Sequence, residues 1–197
     1  SDMTLQFYLL PYLEQFHQFY PEIKVTVTNA PTPQTIEHLQ QGRIDFGVVT
    51  EPLEVSSGIE TIQVRKIQDI FIAGNKFRHL QGKKLNYHEL GELPLVCLEK
   101  DTSTRKYVDA YLEKRQVSVV PEFELATSDM IVQFVLRNLG VGCVVEDFAK
   151  KQLEQDELFC LDFDGKIPER DMCLIVDQSV TMPVAAAKLK DLLLGKA

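Results

Sequence analysis

The sequence predicts an α/β protein built as two similar lobes, and three observations lead there. Strand-like and helix-like segments alternate along the 197 residues. The order helix, strand, helix, glycine, apolar strand occurs once in each half. The strand of each half also opens on nearly the same phrase, YPEIKVTVTN at 20–29 and VPEFELATS at 120–128. That spacing, about a hundred residues, is too long for a solenoid repeat, and a duplicated α/β unit accounts for it better. The competing account is chance, since Pro-Glu before a strand is common.

Each element has its own warrant. Leu5, Leu9, Leu13 and Phe16 recur at helical spacing over 5–19. Pro11 either kinks that helix or belongs to its first turn, after a looser one, and Pro21 ends it. KVTVTN (24–29) alternates and is β-branched, which predicts a strand. Thr32 suits an N-cap with Pro33 at the first helical position, and Gly42 closes that helix. FGVVT (46–50) reads as a strand buried on both faces, and 65–74 as an extended segment.

In the second half, 86–91 predicts a short helix and LVCL (95–98) a strand. DTSTRKYVDAYLEK follows as a capped helix, EFELAT as a strand and SDMIVQFVLRNLG as another capped helix. GCVV, LFCLDF (158–163) and RDMCLIVD (170–177) predict strands, and EDFAKKQLEQ a helix. PVAAAKLKDLLLG forms the closing helix. Alternation of this kind implies parallel-type sheets covered by helices. With the closing helix docked on the first half, lobe 1 comprises 1–73 with 178–197 and lobe 2 comprises 74–177. The segments near 65–74 and 170–178 then cross between them as hinges.

Composition narrows the function. The chain is 45% hydrophobic, ordinary for a protein with a real core, and no apolar run approaches the roughly 20 residues that span a bilayer. A net charge of −8, from 21 basic and 29 acidic residues, argues against this piece gripping nucleic acid by itself. Cys97, Cys143, Cys160 and Cys173 sit in or beside apolar runs without the close pairing of a zinc knuckle or redox motif. They read as buried, reduced thiols of a cytoplasmic protein. His17, His38, His79 and His88 are isolated, so no metal and no cofactor is expected.

Enzyme signatures are missing. The sequence holds no nucleophile elbow, Walker loop or HExxH. Asp45 and Asp69 read as structural acids rather than general bases, so binding is favoured over turnover. In an open α/β sheet, ligands sit beyond the carboxyl ends of strands, against helix starts. Four such starts, SDMT (1–4), NAPT (29–32), DTST (101–104) and ATSD (126–129), carry hydroxyl side chains and little positive charge. Free N–H groups, a positive helix end and alcohols together make a neutral cradle for a small anion. The same residues are also ordinary N-caps, which stabilise a helix by about 1 kcal/mol with no ligand at all.

The run LLPYLEQFHQFYPEIKVTVTN, followed by TIEHLQQGRIDFGVV, resembles the effector-binding domain of LysR-type transcriptional regulators. TSTRKYVDAYL and SDMIVQFVLRNLGVGCVV extend the resemblance over nearly the whole chain. It implies a type II periplasmic-binding-protein-like fold: two Rossmann-like lobes joined by two crossing segments, with a small, anionic or amino-acid-like effector in the interlobe cleft. On this sequence the implied contacts are Ser1, Thr4, Thr28, Asn29, Thr32 and Thr50 from lobe 1. From lobe 2 they are Thr102, Ser103, Thr104, Thr127 and Ser128. Promoter DNA would be bound by a winged helix-turn-helix absent from these residues. The resemblance further implies a homodimer, with helix 5–19 and strand 24–29 against strand 122–127 and helix 129–139 of a partner, and a tetramer in the full-length protein. A free-standing solute-binding protein of the same fold is the alternative.

Overall fold

The computed structural model describes residues 1–196 and divides into two units, 1–66 with 171–196 and 67–170. The chain passes from one to the other at 66/67 and 170/171 rather than at 73/74 and 177/178. The reason is pairing: residues 69–73 ladder with strands of the second unit, while 172–175 ladder with a strand of the first.

In the first unit, helix α1 (Asp2–Thr4) runs through a π turn (Leu5–Leu9) into α2 (Leu10–Phe19) without a break. Pro11 explains the looser turn. It has no N–H to give the carbonyl four residues back, and that carbonyl, of Phe7, instead accepts from Arg65 Nη1 at 3.1 Å. Phe16 faces inward at 1% exposed, whereas Phe19 is 60% exposed. Tyr8 anchors the helix from the side, donating to the Leu193 carbonyl of α7 (Val184–Leu193) at 2.9 Å.

Helix α3 (Thr32–Gln40) packs Ile36 and Leu39 against Val49 of β1 (Gly47–Thr50) and Ile175 of β10 (Arg170–Asp177). Gly42, at φ +65°, supplies the left-handed residue after α3 that a side chain would disfavour. The sheet order is β1, β10, β2 (Ile59–Ile67), with β1 antiparallel to β10. The strand expected at 24–29 does not form. The run instead lines a cavity of about 310 Å³ together with Gly47 and Val48 of β1, and Val25 and Val27 are left 40% and 46% exposed.

The second unit carries a five-stranded sheet. Its order is β6 (Phe123–Leu125), β5 (Leu95–Leu98), β7 (Val141–Val145), β3 (Asp69–Ala73), β8 (Phe159–Cys160). β5 lies parallel to both β6 and β7, as helix-linked strands should. β3 runs antiparallel to β7 and β8, which corrects the expectation of parallel-type pairing throughout. β3 continues directly from β2 with no intervening helix, so no crossover dictates its direction. Helices α4 (Ser103–Glu113), α5 (Ser128–Leu136) and α6 (Glu146–Glu154) accompany the sheet.

The predicted short helix is a 3-10 turn, Tyr87–Glu92, capped by Asn86. The predicted strand at 158–163 splits: β8 joins the large sheet, and β9 (Asp162–Phe163) pairs with β4 (Lys84–Leu85). Aromatic rings pack the core of this unit, with Tyr87 stacked on Phe163 and meeting Tyr111 edge to face, and Phe71 edge to face with Phe163.

Candidate functional site

In the second unit, the two expected helix starts share one end of the sheet. Leu98 and Leu125 are register partners at the carboxyl ends of parallel β5 and β6, and the Glu99 N–H donates to the Leu125 carbonyl at 3.0 Å. The chain then turns on both strands into α4 and α5. Thr102, Ser103 and Thr104 open the first helix, Thr127 and Ser128 the second.

Their hydroxyls differ in what is left to offer. Thr102 donates to the Glu99 carbonyl (2.8 Å) and accepts from the Arg105 N–H (3.2 Å), so its side chain is committed to capping. Thr104 accepts from Arg170 Nη2 at 2.6 Å, and its own proton has no acceptor among the described residues. Thr127 is the N-cap of α5 yet makes no capping bond. Ser128, 8% exposed, also has no side-chain partner among the described residues.

Two buried guanidinium groups reinforce this corner, and the search for site residues in the sequence missed both. Arg105, 5% exposed, gives Nε to both oxygens of Asp109 (2.9 and 2.8 Å) and Nη1 to the Leu98 carbonyl (2.8 Å). Arg170 pairs with Asp69 in fork geometry, Nε to Oδ2 at 2.6 Å and Nη2 to Oδ1 at 3.0 Å, and both side chains are fully buried. Asp69 is therefore the structural acid expected of it. The signal for Arg105 was its place one turn after a cap. For Arg170 there was none, because its partner lies 101 residues away.

In the first unit, the hydroxyls mostly serve each other. Ser1 and Thr4 close a capping box in which Thr4 Oγ1 donates to the Ser1 carbonyl at 2.7 Å. Asn29 donates its amide to Asp2. Thr32 is not the N-cap: Pro31 holds that position, and the Thr32 hydroxyl reaches across to the Thr50 carbonyl at 3.3 Å. Thr28 is exposed. Ser1, Thr4, Thr28 and Asn29 line the 310 Å³ cavity, but its wall is largely apolar, formed by side chains such as Leu5, Leu9, Leu13, Val25, Val48 and Leu189.

No group of metal-binding side chains occurs among the described residues. Three of the four cysteines, Cys97, Cys143 and Cys173, are buried. Burial pushes the Cys97 and Cys173 thiols up to about 11 and holds Cys143 well above its ordinary value. Cys160, expected to be buried, is exposed, because β8 is the outermost strand of its sheet. No helix among the described residues is long and apolar enough to cross a membrane.

Comparison with known proteins agrees with this architecture. The family model of the LysR substrate binding domain matches residues 1–197. A probable RuBisCO transcriptional regulator of Trichormus variabilis is 24% identical over 181 residues, covering 89% of this chain and 54% of that protein. The HTH-type transcriptional activator CmpR of Synechocystis is 22% identical over 197 residues, covering 98% and 64%. This chain thus spans between half and two thirds of the length of these two relatives.

Among solved structures, the regulatory domain of Synechocystis CcmR in complex with 2-PG superposes with a TM-score of 0.86 at 22% identity, covering 98% of this chain and 92% of that one. The effector binding domain of QuiR in complex with shikimate gives a TM-score of 0.79 at 12% identity, covering 94% and 88%. The fold is therefore the type II periplasmic-binding-protein-like α/β fold of such domains. The chain belongs to the LysR substrate-binding domain family.

Proposed function

We propose that this chain is the sensing part of a LysR-type transcriptional regulator, which binds a small anionic or amino-acid-like effector and thereby alters how an attached winged helix-turn-helix holds promoter DNA. One observation carries the reading: unclaimed hydroxyls of Thr104, Thr127 and Ser128 gather at the starts of α4 and α5, beyond the carboxyl ends of parallel β5 and β6. Helix starts of this kind attract oxyanions, and parallel strand ends are where open α/β sheets bind ligands. The 2-PG and shikimate complexes of similar domains support a small acid as the guest.

Ser103 joins these residues in the proposed contact set. Thr28, Asn29, Thr32, Thr50, Ser1 and Thr4 are proposed as contacts of the first unit, with Thr28 the most available. Thr102 acts by holding the start of α4. The mechanism is population shift: the effector favours the conformation that it binds better, by no more than the difference in its two affinities. Side-by-side pairing of two copies fits the apolar residues left on the surface. Leu10, Phe19, Val25 and Val27 lie on or beside α2 in one unit, and Val120, Met130 and Leu139 on or around α5 in the other.

A thermal-shift screen of small carboxylic acids, phosphorylated acids and inorganic anions tests the reading. A true effector raises the midpoint progressively as its concentration exceeds Kd. Ser128→Ala and Thr127→Val should abolish that rise while leaving the unliganded midpoint within a few degrees. A rise that persists in both variants would place the effector elsewhere.

A further inference from the structure

We propose that Arg170 is a positioning residue for the effector: it fixes the Thr104 hydroxyl as a hydrogen-bond donor, so that this corner of the site selects acceptor oxygens such as those of a carboxylate or phosphate. The inference rests on the effector reading above and adds a chemical preference to it.

A guanidinium has no lone pair and can only donate, whereas a threonine hydroxyl has one proton and two lone pairs. Arg170 Nη2 carries two hydrogens. One goes to Asp69 Oδ1 at 3.0 Å and the other to Thr104 Oγ1 at 2.6 Å. One lone pair of the threonine oxygen is thus taken, and its proton is turned away from the guanidinium. No described residue takes that proton, and Thr104 is only half-buried.

The arrangement is rigid for a stated reason. Arg170 and Asp69 are both fully buried and joined by two charge-assisted bonds, and the Tyr107 ring lies 5.4 Å from the guanidinium carbon. A freely rotating hydroxyl could turn its proton any way; this one holds it away from Arg170, where a ligand oxygen can accept it. Thr102, two residues earlier, is the internal contrast, since its proton is already taken by the Glu99 carbonyl.

Asp69 and Arg170 also stand at the first positions of β3 and β10, within three residues of the two points where the chain passes between units. An oxygen bound to Thr104 is therefore two hydrogen bonds from β10, through Arg170, and three from β3, through Asp69.

The test is isothermal titration of the 197-residue domain with 2-PG, shikimate and inorganic phosphate. Thr104→Val keeps the shape and removes the proton, and Thr104→Ser restores it. We expect Val to weaken binding of the preferred probe at least about tenfold, the scale of one lost hydrogen bond to a charged group, and Ser to stay within about threefold. Arg170→Lys should weaken binding too. Adding Thr104→Val to it should cost no more than either change alone, because residues acting through one contact are not additive. If Arg170→Lys fails to fold, the Val and Ser pair decides.

Val binding like wild type, or Ser failing to rescue, overturns the inference, as do fully additive effects. Binding lost in Ser128→Ala but kept in Thr104→Val overturns this inference alone. A wild-type domain that binds none of the three probes overturns the effector reading and this inference with it.

Discussion

Residues 20–29 and 120–128 carry nearly the same phrase and meet different fates. The second becomes β6, register-paired with β5 and followed by α5, whose Ile131 and Val135 pack beside β7. Phe123 also meets Phe134 of α5 edge to face, 5.2 Å between ring centres. The first phrase has equal or better β-propensity, with Val25 and Val27 alternating with threonines, yet it forms no ladder and instead lines a cavity with Gly47 and Val48 of β1. Propensity marks a segment that fits a pleated, half-buried surface; only a neighbouring edge makes it a strand. The helix ends differ in the same way. Gly42 provides the left-handed residue after α3, whereas Asn138 does so after α5, and its side chain accepts the Lys76 N–H at 2.7 Å.

The helices that follow the two phrases give the largest expected contrast. Ile131 is fully buried beside the five-stranded sheet, while Ile36 is 7% exposed in a smaller cluster. Ile131→Ala should destabilise by about 4 kcal/mol and Ile36→Ala by about 2, within the range for aliphatic truncation in cores. Urea unfolding measures both, and equal losses would mean that the two halves are equally well packed.

The phrases themselves should differ in hydrogen exchange. β6 is an edge strand paired with β5 alone, so those of its amides that face β5 should exchange slower than those of 24–28 by on the order of tenfold, the contrast between an edge strand and an unpaired run. Comparable protection in the two would show that 24–28 has found a partner.

Gly47, the first residue of β1, and Gly142, the second of β7, sharpen the contrast further. A Cβ on Gly142 would sit 2.5 Å from Ile131 Cγ2 and 2.8 Å from Val135 Cγ2. One on Gly47 would meet Thr35 Cγ2 at 2.9 Å and Ile175 Cγ1 at 3.1 Å. Gly142→Ala should cost about 1–3 kcal/mol as overpacking, and Gly47→Ala less, since Thr35 is only half-buried and can shift. Equal midpoints in denaturant for the two variants would contradict this.

The smallest effect is the contribution of one group of the first unit, Tyr8, to the pH dependence of stability. Burial pushes the Tyr8 hydroxyl from 10.0 up to about 12. The folded state then holds that proton more tightly than the unfolded one. Its contribution is complete below pH 10 and is lost as pH rises from 10 to 12. Tyr8→Phe should flatten that part of the stability curve; an unchanged slope would assign the loss to other groups.

Much of the fold was legible because periodicity and caps are local. Helices α2 to α7, strands β1, β5, β6, β7 and β10 and the Pro11 irregularity follow from residues within a few positions of each other. The starts of α4 and α5 were legible as helix starts for the same reason. What the individual hydroxyls do was not legible. Thr102 and Thr104 look alike in DTST, but one is consumed by the backbone beside it and the other by a guanidinium 66 residues along.

By itself, then, the sequence determined the local grammar: which segments coil, which extend, where hydroxyl-bearing turns fall, and that the pattern is written twice. Only the tertiary structure decided which copy of the phrase became a strand, that β3 runs against β7, and that Arg170 turns Thr104 into a donor. The physical reason is range. Helical hydrogen bonds and caps close within four residues, whereas ladders and buried ion pairs join groups that are distant along the chain and meet only after folding.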